Sequence, residues 1–163
     1  MGLDQYLYAR KYISGSDYKK VDGDLVRIQN QEYENIVSQV GLTSDDVDDN
    51  YPSVELSIKV GYWRKDNQIH KWFVDNVQDG EDDCKSYYVT ADQLTDLHNT
   101  CKEVLGDHDK AESLLPRHSG FFFGGDEYDE WYFKGLEDTV VILERLLGNP
   151  KFLNWDFYYQ SSW

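Results

Sequence analysis

Val54-Glu55-Leu56-Ser57-Ile58-Lys59-Val60-Gly61-Tyr62-Trp63-Arg64-Lys65-Asp66-Asn67-Gln68-Ile69-His70-Lys71-Trp72-Phe73-Val74 changes its apolar period partway along. From Val54 to Tyr62 every second residue is apolar or glycine-flanked, the pattern of a strand with one buried face. From about Asp66 to Val77, a step of 100° per residue gathers Ile69, Trp72, Phe73, Val74 and Val77 on one side of a helix. Asp66 stands where a cap is expected. A half-buried strand feeding directly into an amphipathic helix points to an α+β fold.

The flanks extend the pattern. Residues 3–12 alternate as a strand, Asp22-Gly23 marks a turn, residues 33–40 suit a short helix, and residues 43–51 form an acidic loop. Residues 86–89 make a short strand. Thr90-Ala91-Asp92-Gln93 has the form of a capping box and opens a helix to about Leu105. Its apolar face is Ala91, Leu94, Leu97, Cys101, Val104 and Leu105, which makes Cys101 a core residue. Ser119-Gly120-Phe121-Phe122-Phe123-Gly124-Gly125 reads as a turn, a buried strand and a second turn. A long helix from about Asp126 to Leu147 follows, with Tyr132, Leu136, Val140, Leu143 and Leu147 on one face. Gly148-Asn149-Pro150 stops it, and residues 155–159 read as a last strand. The expected architecture is a single domain over residues 1–163: an antiparallel sheet with about three helices packed on one side.

The formal net charge is −15, and aromatic residues make up 15% of the chain, 13 of them Tyr. Such acidity disfavours direct nucleic-acid binding, because phosphate contacts need clustered Lys and Arg. The carboxylates gather at Asp45, Asp46, Asp48 and Asp49, at Asp79, Glu81, Asp82 and Asp83, and at Asp126, Glu127, Asp129 and Glu130. These runs read as solvated loops and helix starts, or as an acidic surface that imitates DNA or docks on a basic partner. Against them, Lys59, Arg64, Lys65 and Lys71 concentrate positive charge around the opening stretch. Two cysteines form neither a disulfide framework nor a zinc pair. No signal region, myristoylation motif or membrane-length apolar run is visible, so a soluble protein of the cytoplasm is expected, with no membrane partner.

Five residues stand out as candidate ligand contacts: Tyr62, Trp63, Arg64, Asn67 and His70. Tyr62 and Trp63 offer stacking surfaces, and Arg64 a bidentate contact to phosphate or carboxylate. The free N–H groups at the helix start favour an anion. His70 falls inside the apolar arc of the helix, so its imidazole needs a hydrogen-bond partner. The alternatives are a core His held by a Tyr or a backbone carbonyl, and a cavity lined by His70, Asn67 and Arg64. Gly124-Gly125 lacks the spacing of a phosphate loop. No cofactor, metal site or catalytic motif is expected from the spacing of His, Cys, Ser or acidic residues.

Several blocks resemble a family of small acidic proteins encoded by bacteriophages and prophages. They are residues 1–9 (MGLDQYLYA), the Gly61 to Val74 stretch, Leu114-Leu115-Pro116, Ser119-Gly120-Phe121-Phe122-Phe123-Gly124, Glu127-Tyr128-Asp129-Glu130, and residues 155–163 (WDFYYQSSW). The resemblance spans nearly the full length. It carries no established activity, but it implies the host cytoplasm and a phage setting, where small accessory proteins often disarm host defences. Three readings follow. The first is a non-catalytic protein, conceivably a homodimer, that sequesters a small planar anion such as a nucleotide-type immune signal. The second is an acidic inhibitor or DNA mimic acting on a host protein, and the third an enzyme using His70 on a nucleotide-like metabolite.

Overall fold

A computed structural model describes residues 2–47, 50–118, 120 and 123–163. The chain divides into two compact units, Met1–Ala9 with Ile58–Trp163, and Arg10–Ser57. The secondary structure of both is α+β.

The larger unit is built on an antiparallel sheet of four strands: β1 (Asp4–Ser14), β4 (Ser53–Arg64), β5 (Tyr87–Val89) and β6 (Asp156–Ser162), in the order β4-β1-β6-β5. The division between units cuts β1 after Ala9 and β4 before Ile58. In β5 and β6, Val89 pairs with Phe157 and Tyr87 with Tyr159. The unit's helices are α2 (Asn67–Asn76), α3 (Ala91–Gly106), the single turn α4 (Ala111–Leu114) and α5 (Glu130–Leu146). One core joins sheet and helices. Leu7, Ala9, Trp63, Val89, Phe157 and Tyr159 meet Ile69 and Phe73 of α2, Leu94, Leu97 and Cys101 of α3, and Leu136 and Leu143 of α5. None of these helices, nor any other described, is long and apolar enough to cross a membrane.

The start of α3 follows the expected capping box: Thr90 Oγ1 accepts from Gln93 N, and Gln93 Oε1 accepts from Thr90 N. Two other starts differ from expectation. Helix α5 begins at Glu130 rather than near Asp126, because Asp129 takes the cap and its carboxylate accepts from Trp131 N and Tyr132 N. Asp66 holds the cap position of α2 without capping it; its carboxyl is turned instead toward Gly135 of α5. The expected strand at residues 119–125 falls partly on Ser119, Phe121 and Phe122, which lie outside the described residues.

The phase of β4 also departs from a simple alternation. Val60 and Gly61 both face the core, Trp63 is buried, and Ile58 and Tyr62 are exposed. The cause is Gly61: a Cβ there would sit 3.1 Å from both Ile142 of α5 and Leu7 of β1, so the helix closes on bare backbone.

The smaller unit contains a hairpin of β2 (Ser16–Val21) and β3 (Asp24–Gln29), then α1 (Gln31–Gln39). Asp22 and Gly23 both take positive φ, the backbone of a tight two-residue hairpin turn. Asn30 caps α1 by accepting from Glu32 N and Tyr33 N. Ile13, Tyr33 and Val37 form the buried core, with Ile36, Val54 and Leu56 against it. Within the expected acidic loop, Ser44–Asp46 forms a 3-10 turn. Asp48 and Asp49 lie outside the described residues.

Candidate functional site

The stretch 61–70 distributes its five singled-out residues to different places. Tyr62, 43% exposed, lies on the sheet face away from the helices, where its hydroxyl donates to Asp4. Arg64 is exposed. Trp63 points the other way into the core, and its indole N–H donates to Thr139 Oγ1 at 2.8 Å. Asn67 and His70 are fully buried in the first turn of α2. The structure therefore brings Asn67 and His70 together, and separates them from Tyr62 and Arg64.

Asn67 stitches a loop onto the helix start. Its Nδ2 donates to the carbonyls of Phe123 and Gly125, and its Oδ1 accepts from the backbone N–H of His118. The guanidinium at this turn belongs to Arg117, not Arg64. Arg117 donates to Gln68 Oε1 and the Glu127 carbonyl and lies over the Tyr132 ring. Its donors are committed to holding the loop, so it is a structural cation.

His70 sits in a buried chain of hydrogen bonds. Nδ1 is 2.8 Å from Tyr159 Oη, and Nε2 is 2.9 Å from Asp82 Oδ2. Tyr159 donates to Gln5 Oε1 at 3.0 Å, and Gln5 Nε2 donates to the Asp66 carbonyl at 3.0 Å. The outer oxygen of Asp82 accepts from the Trp163 indole at 3.0 Å. Directions in this chain are set from one end. The Asp66 carbonyl can only accept, so Gln5 presents its oxygen to Tyr159, and Tyr159 must donate to it. His70 Nδ1 must then carry a proton for Tyr159 Oη, and Nε2 needs another for the Asp82 carboxylate. The complete chain asks for an imidazolium beside a carboxylate.

Burial works against that state. It lowers the His70 pKa, with Asp82 opposing and nearby His118 adding to the fall. It raises the Tyr159 phenol well above its ordinary range, helped by Asp82 and Cys84, so Tyr159 stays a donor. When His70 loses its second proton, one of these bonds must be given up. Asp66 is likewise strained electrostatically: burial lifts its carboxyl to about 6, against the pull of Gln68 and Arg117.

Above His70 lies an aromatic group. Phe123 stands edge-on to the imidazole at 5.2 Å, with His118 at 5.5 Å and Trp163 at 6.1 Å from its ring. His118 is exposed and Trp163 is 44% exposed, so both rings border solvent. Among the described residues, the buried Ser161 Oγ and Gln78 Oε1 have no hydrogen-bond partner. Ser161 shares the core-facing side of β6 with Tyr159, two residues before Trp163. No group of three or more His, Cys, Asp or Glu able to hold a metal ion occurs among the described residues.

Gln5, Asp82, His118, Phe123, Tyr159, Ser161 and Trp163 were not singled out as site residues by sequence pattern. Gln5, Phe123 and Tyr159, far apart in sequence, meet around the His70 imidazole. No protein-family model, curated protein or solved structure matches the chain significantly.

Proposed function

We propose that this protein binds a small planar, polar ligand beside Trp163, His118 and Phe123 and holds it without turning it over. The observation that carries the reading is the buried Ser161 hydroxyl, between Tyr159 and Trp163, which has no hydrogen-bond partner among the described residues. A buried polar atom without a partner is costly, and a ligand atom is one way to satisfy it. The bordering rings supply stacking surface. His70 has both ring nitrogens engaged and no exposed surface, so its role here is to fix Asp82, Tyr159 and Trp163, not to exchange protons with a substrate. The likeness to phage and prophage proteins supports a setting in which the ligand is a nucleotide-type signal of the host, sequestered from its receptor.

The test starts with purified protein, denatured, and mass spectrometry of what it releases, followed by thermal shift across a panel of cyclic and linear nucleotides. A released or stabilising nucleotide is expected, with the shift abolished by Trp163→Ala and Ser161→Ala and retained by Tyr62→Ala and Arg64→Ala. Absence of both release and shift overturns the reading. Loss of the shift in Arg64→Ala alone would move the site to the opposite face of the sheet.

A further inference from the structure

A cavity of about 540 Å³ opens where α5 ends and the chain returns to the sheet through the 3-10 turn Pro150–Phe152. Small-molecule pockets run from roughly 300 to 1,000 Å³, so a compact ligand fits. The turn is held locally. Asn149 caps it, with Oδ1 accepting from Lys151 N and Nδ2 donating back to the Arg145 carbonyl. Trp155 N then donates to the Phe152 carbonyl, which fixes both rings on one short loop. Phe152 stands 6.1 Å from both Trp155 and Phe157, inclined at 67° to the first and 43° to the second. All three line the cavity, so its aromatic wall is made of rings in different planes.

The charge around this wall is negative. Asp156 is the one charged residue among the described residues that line the cavity. Its carboxylate makes no ion pair among the described residues. Leu146 and Leu147 bring the last turn of α5, the negative end of a 17-residue helix, to the same cavity. Arg145 of that turn donates to the Val141 carbonyl and does not line the cavity. Ala91 brings in the positive end of α3, where the Thr90 cap and Asp92 of the first turn offset it. Ring faces are themselves negative. An anion entering here finds no cation, whereas an ammonium finds ring faces and a free carboxylate.

We propose that this cavity binds an organic cation, an alkylated ammonium carried by a small molecule. Alkyl groups on the nitrogen suit the apolar wall, and the spread charge is held by the ring faces, Trp being the strongest of them. Asp156 serves as counter-ion. The net charge of −15 draws such a ligand toward the chain. Neither Trp163 nor Ser161 lines this cavity, so the site is independent of the ligand reading above.

NMR of the isotope-labelled full chain tests this with choline as the probe. The indole N–H resonance of Trp155 is identified by its loss in Trp155→Phe. Choline at millimolar concentration should move that resonance and leave the Trp163 indole in place. The uncharged carbon isostere of choline, with tert-butyl in place of trimethylammonium, should bind roughly tenfold more weakly. Asp156→Asn alters an exposed side chain, and an unchanged melting temperature confirms its fold. It should weaken choline roughly threefold, as expected of an exposed ion pair, and leave the isostere unaffected. A Trp155 resonance that does not respond to choline overturns the proposal. So does an isostere that binds as tightly as choline, which would make the cavity a plain apolar one. Choline affinity untouched by Asp156→Asn also overturns it, as does movement of Trp163 in place of Trp155. A trimethyllysine peptide that outcompetes choline mole for mole overturns it in favour of a protein partner.

Discussion

Asp66 and His70 show how single groups at the start of α2 set the pH behaviour of the larger unit. The Asp66 carboxyl is held at about 6 in the folded chain, against an ordinary 3.8. The folded state therefore binds its proton more tightly than the unfolded state does. Stability from this group is complete below about pH 4 and is lost as pH rises through about 6. Asp66→Asn keeps the shape and removes the charge. It should raise stability by about 3 kcal/mol at pH 8 and by almost nothing at pH 4, as read from urea melts at the two pH values. His70 has the opposite sign. Its folded pKa lies below 6.5, so its contribution is complete above that value and falls as pH drops through the folded pKa. Tyr159→Phe removes the donor to Gln5 and the acceptor for His70 at once. A loss of about 1–3 kcal/mol is expected in the same melts, because both partners stay buried.

Between α2 and α5 the fit depends on Gly135. A Cβ there would lie 1.9 Å from Asp66 Oδ1 and 3.1 Å from Gln68 Nε2. Gly135→Ala brings a helix-propensity gain of up to about 1 kcal/mol, set against an overpacking cost of about 1–3 kcal/mol. A net loss is expected in thermal denaturation, and Asp66→Ala in the same chain should recover most of it, since the two changes share one contact. Such contacts also explain which elements were legible in the sequence. Helix α3 was, with its cap and its buried Cys101, because capping box and apolar stripe are local signals. The phase of β4 was not. Tyr62 and Ile58 are the apolar residues a strand pattern selects, yet the buried position goes to Gly61 because α5 crosses it. The hairpin shows only its turn, since every residue of β2 and β3 is exposed or half-exposed and no face alternates. At the candidate site, the burial of His70 was readable from its place in the apolar arc of α2. Its partners were not: Tyr159 is 89 positions away, and Asp82 belongs to an acidic run that reads as solvated surface.

Taken whole, the chain places most of its buried apolar side chains in one of its two units. Leu94, Leu97, Cys101, Leu136 and Leu143 are fully buried in the larger unit, whereas the core of Arg10–Ser57 holds Ile13, Tyr33 and Val37. Local opening follows buried contact, so amides of β2, β3 and α1 should exchange with solvent well before those of α3 and α5. Hydrogen–deuterium exchange with peptide-level mass readout checks this; equal protection in both units would contradict it. Cys101 extends the same contrast to chemistry. Burial lifts its thiol to about 12, so in the closed fold there is almost no thiolate to react. Cys84, free and half-buried, carries the other thiol. An alkylating reagent should therefore add one mass tag quickly and a second only when the layer of α3 against α5 opens. The chain carries its own clock: the delay between the two tags times the breathing of its core, with no label introduced.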